Sequence, residues 1–448
     1  MVRLIALEGR RLFRERVGWI VLLVMTIATV TAVVQGRAAL HEQERGRAAF
    51  LTERAEADKA IAQQIAEATA ETAPILPRRA TLPILAPVPR LADFSMGRTG
   101  FENYATTIRL GLREDSLFNE VRLDNPEILA RGGIDLGFVA IAIMPLLLVG
   151  LGYGVFTADR DSGVARAALA QGPAIRLLIA RSLPRLAIVF APLLLAAGWL
   201  LLEGPSIEHR LISAVGWLSV ALLLGLFWWS LVLLVNSFRL SAESAALLLI
   251  SVWAVVTLIL PPLISAAAQV AYPPPSRLEQ IAVSRAAELA ATNAFENDHP
   301  ELTEAAAERR RQAERAVEID RQAEAAIAPI SARFEDRRAR QRSIVEMLSF
   351  LSPTLVAANA GSALAGTDGG TWLAFRSAAS AYLAESKQAL RAILLSDRPL
   401  TLSRYQALPS FRWQPPVKFP LTAFLYLAGL TLVIGAIAHR RFRNIELA

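Results

Sequence analysis

The strongest constraint on this chain is a set of long apolar runs almost free of charge. The first, Trp19 to Val34 (WIVLLVMTIATVTAVV), has no charged residue at all. With Val17 and Gly18 it is long enough to cross a hydrocarbon layer of about 30 Å. Further runs lie at about 136–156, 186–202, 214–235, 245–270 and 421–438. Of the 448 residues 54% are hydrophobic and only 19% charged, a balance expected when lipid, rather than a water-excluded core, receives the apolar surface. The expected fold is an all-α integral membrane protein with about six transmembrane helices and two mainly helical extracytoplasmic segments.

Arginine sets the orientation. Lysine occurs only at positions 59, 387 and 418, so nearly all of the formal +7 charge comes from arginine. Arg10, Arg11, Arg14 and Arg16 precede the first run, and Arg160, Arg166, Arg176, Arg181 and Arg185 lie between the second and third. Arg239 separates the fourth and fifth, and Arg440, Arg441 and Arg443 follow the last. The short loop from Glu203 to Arg210 on the other side carries two acids and one arginine. The positive-inside bias therefore places both termini in the cytoplasm, of a bacterial inner membrane, and the long hydrophilic segments in the periplasm.

The resulting plan has an interfacial helix at 1–16 and spans at 17–35, 134–156, 186–202, 213–235, 245–271 and 421–438. Outer segments fill 36–133, 203–212 and 272–420, and cytoplasmic segments fill 157–185, 236–244 and 439–448. In Leu4–Arg16 (LIALEGRRLFRER) apolar residues alternate with Glu8, Arg11 and Arg14, which suits a helix lying in the membrane interface. A cleaved signal peptide is the competing reading; acids before the run, and the run's length, argue against it.

The outer segments carry little packing information. Arg37–Thr72 is rich in Ala, Glu, Arg and Gln and favours a helix emerging from the first span. Pro74–Arg90 (PILPRRATLPILAPVPR) has prolines that forbid regular helix and favour an extended connection. After Pro273-Pro274-Pro275, an Ala/Glu/Arg-rich stretch from Leu278 to about Ile344 also reads as helix. Its apolar positions are mostly alanine, too small for a strong coiled-coil seam. Two readings stay open: a stalk that meets a partner, or a helical hairpin packed on the first outer segment. Leu348–Leu364 is apolar and small-residue-rich and is expected as a helix on the outer membrane surface.

The chemistry that is missing narrows the function. With no cysteine, disulfides and Cys-ligated metal are excluded. None of the lysines follows a glycine, so no phosphate-binding loop ends in Gly-Lys. His41, His209, His299 and His439 are scattered over different segments, so no metal site is expected. No basic stripe interleaves with aromatics, so nucleic acid is not an expected partner. The spans hold almost no ionisable groups, with Asp135 and Glu243 at span ends where water is expected to reach them. Ion-driven transporters usually carry such groups within the membrane. The chain is expected to be no enzyme and to bind no cofactor.

Ile134–Arg185 (IDLGFVAIAIMPLLLVGLGYGVFTADRDSGVARAALAQGPAIRLLIARSLPR) resembles the permeases of the type-two ABC transporter family. There an apolar span leads into a turn of the pattern E-R-x-x-G-T-L. Here the turn reads Asp159, Arg160, Asp161, Ser162, Gly163, Val164, Ala165; Asp159 replaces Glu, and Val164-Ala165 replace Thr-Leu. NPEILARGGIDLGF (125–138), YPPPSRLE (272–279), LSFLSPTLVAANAGSALAGTD (348–368) and YQALPSFRW (405–413) resemble a subgroup with an uncharacterised permease domain and large periplasmic insertions.

The resemblance implies two paired permease subunits, this chain with a second copy or a related permease, and two ABC ATPase subunits on the cytoplasmic side that hold ATP and Mg. It implies that Glu8, Arg11 and Arg14 belong to the interfacial helix. It assigns Asp159, Arg160, Asp161, Gly163, Arg166 and Arg176 to the loop that couples to the ATPase. Gly366-Thr367-Asp368 reads as a tight turn closed by side-chain hydrogen bonds. The expected function is an exporter's permease subunit with amphipathic, peptidic or siderophore-like cargo. The alternative is a non-transporting scaffold that passes ATPase motion to periplasmic proteins.

Overall fold

The computed structural model describes residues 1–68, 76–97, 103–112, 114, 117, 133–157, 160, 174–203, 207–238, 240–273, 277–298, 309–396, 400–416 and 418–446. Nearly all regular structure in them is helical. Helix α1 (Val2–Arg14) has its apolar stripe on one face and ends at Glu15 and Arg16. Arg16 adopts a left-handed conformation (φ 63°), which breaks the helix and turns the chain into α2. Gly18 permits the tight corner, because a Cβ there would lie 3.0 Å from the Leu12 carbonyl oxygen.

Helix α2 (Val17–Ala66) runs unbroken for 50 residues, about 75 Å at 1.5 Å per residue. Its first half is apolar and its second half carries the Ala/Glu/Arg sequence. The Pro-rich stretch beyond it holds a short α3 (Leu76–Arg79) and a strand β1 (Leu82–Leu85), which pairs antiparallel with β2 (Ala105–Ile108) in the register Leu82↔Ile108.

Five helices are long and apolar enough to cross a membrane: α2, α5 (Ala174–Glu203), α6 (Ile207–Asn236), α7 (Ala242–Ala271) and α13 (Leu421–Glu446). The chain is on this ground a multi-pass membrane protein. The second apolar run forms the shorter α4 (Leu136–Gly152), followed by turns to Phe156. Half of the apolar window of α6 is buried, against 11% for α7, so α6 is the central helix and α7 a peripheral one. Leu224, Trp228 and Val232 of α6 meet Met144 and Leu148 of α4, Leu193 of α5 and Leu427 of α13 in one continuous core.

Helices α4 and α7 each widen to a π-turn just before their prolines, Val139–Ile143 ahead of Pro145 and Val255–Ile259 ahead of Pro261 and Pro262. A proline ring clashes with the carbonyl one turn back and offers it no N–H; a wider turn relieves the clash and leaves that carbonyl free.

Beyond α7, helices α8 (Arg277–Asp298) and α9 (Arg309–Ser349) pack against each other, and α9 returns alongside the end of α7. Then α10 (Pro353–Ala365) departs from its expected place on the membrane surface. Val356, Ala357, Ala360 and Leu364 are buried in the same core as Trp217 and Leu224. Its small residues let it sit flush against α6, where a Cβ on Gly361 would come 3.2 Å from the Trp217 indole. The hydroxyls of Ser352 and Thr354 each donate at 2.9 Å to the Val256 carbonyl, the group released by Pro261.

Helix α11 (Gly369–Leu395) and the short α12 (Leu402–Gln406) follow. Ile61 of α2 shares a cluster with Leu390, Leu394 and Tyr405, and Leu82 and Ile84 of β1 share another with Phe375 and Tyr382. The described parts of 36–133 and 272–420 thus pack together as one body. Asp320 of α9 is 2.9 Å from Lys387 and 2.6 Å from Arg391, both on α11. That contact fastens α9 to the same body.

Candidate functional site

Two polar centres interrupt the apolar bundle. The first gathers at the end of α4. Carbonyls in the last turn of a helix have no partner of their own and carry its partial negative charge. Arg181 and Arg185, one turn apart on α5, supply the missing donors. Arg181 Nη1 donates to the Val155 carbonyl at 2.6 Å, and Arg185 Nε to the Leu151 carbonyl at 3.2 Å. Arg181 Nε also donates to Glu8 Oε1 at 3.2 Å. Helix α1 is thereby tied to α5 through a pair with side chains only 4% and 10% exposed.

Asn236, at the end of α6, braces the same turn from the other side. Its Nδ2 donates to the Gly152 carbonyl at 3.0 Å, and its Oδ1 accepts from the Phe156 and Thr157 amides at 3.1 and 3.3 Å. Arg160 donates to the Phe238 carbonyl at 2.8 Å and also to that of Leu240. Arg441 of α13 lies 4.0 Å from the Phe238 ring centroid, and Phe442 packs edge-on against Phe156 at 5.0 Å. Five helices therefore converge where the chain leaves α4 towards residue 173.

Of the residues singled out in the sequence, Glu8 and Arg160 belong to this junction. Arg11 pairs with Glu15 at 2.8 Å on the exposed face of α1, and Arg14 and Arg176 are exposed. Asp159, Asp161, Gly163 and Arg166 lie outside the described residues. The sequence placed Arg181 and Arg185 in the loop between the second and third spans, as orientation signals and part of the coupling segment, and passed over Asn236. The available signal was their position, cationic and amide groups set into otherwise apolar helices.

The second centre lies at the opposite end of α4. Asp135 caps the helix: Oδ1 accepts from the Phe138 amide at 2.7 Å and Oδ2 from the Met96 amide at 2.8 Å. It is 9% exposed; the turn at 91–97 covers most of it. Glu243, at the start of α7, is exposed. Arg210 anchors that turn by donating to both carboxylate oxygens of Asp93 at 2.6 Å and to the Arg90 carbonyl at 2.9 Å.

Beside Asp135 is a cavity of about 200 Å³ walled by α4, α6 and α10, with Phe138, Ile141, Val220, Leu224 and Ala358 on its sides. The turn after α10 packs against Gly97, which lines the cavity. Gly366 (φ 76°) ends α10, and Asp368 caps α11 through the Gly370 and Thr371 amides at 2.9 and 3.2 Å. Thr367 meets Gly97 so closely that a Cβ on Gly97 would fall 2.6 Å from the Thr367 hydroxyl.

Among the described residues no group of three or more histidine, aspartate or glutamate side chains is arranged to hold a metal ion. Residues 281–414, from within α8 to just past α12, match the model of a domain of unknown function, DUF3526. No curated protein and no solved structure matches the chain. The matched region contains α10 and the Gly366-Thr367-Asp368 turn, and so contributes one wall of the cavity.

Proposed function

We propose that this chain is the membrane-spanning permease subunit of an ATP-binding cassette transporter working as an exporter. In this reading α4 is a sixth span, both termini are cytoplasmic, and the joined outer segments stand in the periplasm. Separate ATPase subunits supply ATP and Mg, and a second permease, identical or related, completes the assembly. The observation that carries the reading is the junction at the end of α4. Glu8, Arg181, Arg185 and Asn236 bind α1, α4, α5 and α6 into one unit at the point where the segment resembling a coupling loop departs. A rigid base of this kind would pass a push on that loop to several spans together. The cargo expected from the weakly charged spans is amphipathic, peptidic or siderophore-like.

The test is co-expression with an ATPase encoded beside this chain, with ATP hydrolysis and vesicle transport measured together. Replacing Asp159, Arg160 and Asp161 by alanine is expected to uncouple hydrolysis from transport. Unchanged coupling would remove the loop from the mechanism. A second reading, a scaffold that moves periplasmic partners without transport, is favoured by the unbroken α2, which joins the base to the outer body as one rod. ATP-dependent movement of the outer body with no cargo crossing would select it.

A further inference from the structure

The cavity beside Asp135 joins two features that seldom coincide: apolar walls and a buried carboxylate. Its side walls are Phe138, Ile141, Val220 and Leu224, and its volume of about 200 Å³ exceeds the roughly 150 Å³ of an apolar void known to admit benzene. Asp135 lies on the lining and is more than nine-tenths buried. Among the described residues no cation lies within salt-bridge distance of it; it accepts from the Met96 and Phe138 amides, with the Gly137 amide also directed at it. Arg210, on the same helix as Val220, is committed to Asp93.

Among the described residues the charge is therefore balanced only in part. A helix N-terminus offers the equivalent of about half an elementary positive charge, while a carboxylate carries a full negative one. A buried, uncompensated charge is costly, and a cation entering the site would recover that cost. An anion would meet repulsion, and a neutral molecule of the same shape would gain only the apolar contacts. We infer that this cavity is a binding site for a small organic cation, an ammonium group attached to a compact apolar body, with the ammonium on Asp135 and the body between Phe138, Ile141 and Leu224. This site would exist whether or not an ATPase drives the chain, so its test requires no transport.

The experiment uses the full chain in phosphatidylcholine nanodiscs, with calorimetric titrations corrected against empty discs. The probes are benzylamine, protonated at neutral pH, benzyl alcohol and benzoate, which share a ring and differ in charge. Benzylamine is expected to bind at least tenfold more tightly than benzyl alcohol, with no binding of benzoate. Asp135→Asn keeps a side-chain oxygen for the Phe138 amide and is expected to erase the preference, bringing amine and alcohol within about twofold. Ala358→Phe fills the cavity without touching the cap and is expected to abolish binding of all three. Equal binding of amine and alcohol by the unaltered chain would overturn the proposal. So would an amine preference that survives Asp135→Asn, or amine binding that survives Ala358→Phe. Should Asp135→Asn fail to fold, the probe comparison and Ala358→Phe decide alone.

Discussion

Glu8 and Arg181, 173 residues apart in sequence, meet at 3.2 Å in a site that excludes most water from both. Arg181 reaches past the pair to the Val155 carbonyl. One guanidinium thus connects α1, the end of α4 and the start of α5. Glu8 Oε2 has no hydrogen-bond partner among the described residues, so the carboxylate depends on this one contact.

Removing Arg181 leaves the Glu8 carboxylate buried without its hydrogen-bonded cation. Arg181→Ala is expected to destabilise the protein by about 3–5 kcal/mol, the usual cost of breaking a buried pair. Replacing both residues with methionine is expected to cost less, because no orphan charge remains. Thermal unfolding of the two variants in detergent gives the order; a double variant less stable than Arg181→Ala would contradict it.

Asp368 caps α11 through two backbone amides and also accepts from the Thr371 hydroxyl. Asp368→Ala is expected to cost about 1 kcal/mol, and Asp368→Asn much less, since Asn caps nearly as well as Asp. Unfolding midpoints of the two variants test this. Equal losses would mean that charge, not capping, is what the site requires.

The spanning helices were legible because a membrane segment is set by length and lack of charge, both local properties. Val17–Val34 and its Ala/Glu/Arg continuation read directly as the two halves of α2. The burial of α10 was not legible, since a helix of Ala, Gly, Ser and Leu reads alike on a membrane surface and inside a bundle. The β1–β2 pairing was hidden because its strands are four residues each and separated by 19 others. At the candidate sites, Glu8 and Arg160 stood out as charges beside apolar runs. The partners of Arg181, Asn236 and Asp135 are fixed by tertiary packing, which no local pattern encodes.

Burial, and then the hydrogen bond to Asp58, push the Tyr405 phenol up to about 12. Its hydroxyl donates to Asp58 at 2.6 Å and accepts from Arg54 at 2.7 Å. The folded value lies above the ordinary value of 10. The associated stability is therefore fully present below pH 10 and is lost as pH rises from 10 to about 12. Tyr405→Phe is expected to be less stable than the unaltered chain at neutral pH, with the gap narrowing across that window. Melting temperatures measured from pH 8 to 12 give the test; a gap that widened would reverse the sign.

The bond between Ser352, Thr354 and the Val256 carbonyl yields a prediction with a built-in rescue. Pro261 has no N–H to give that carbonyl, and the two hydroxyls take its place at 2.9 Å. Ser352 also caps α10 at the Leu355 amide. The double change Ser352→Ala with Thr354→Val is therefore expected to cost about 1–3 kcal/mol, the penalty for a carbonyl left unpaired away from water, plus the lost cap. Pro261→Ala restores an N–H within reach of Val256 across the π-turn. Made alone it gains little, because the carbonyl is already satisfied. Made on the hydroxyl-free background it should recover the carbonyl's share and leave only the cost of the cap. A double-mutant cycle on unfolding free energies isolates that coupling. Strict additivity would show that the hydroxyls position α10 without compensating for the proline.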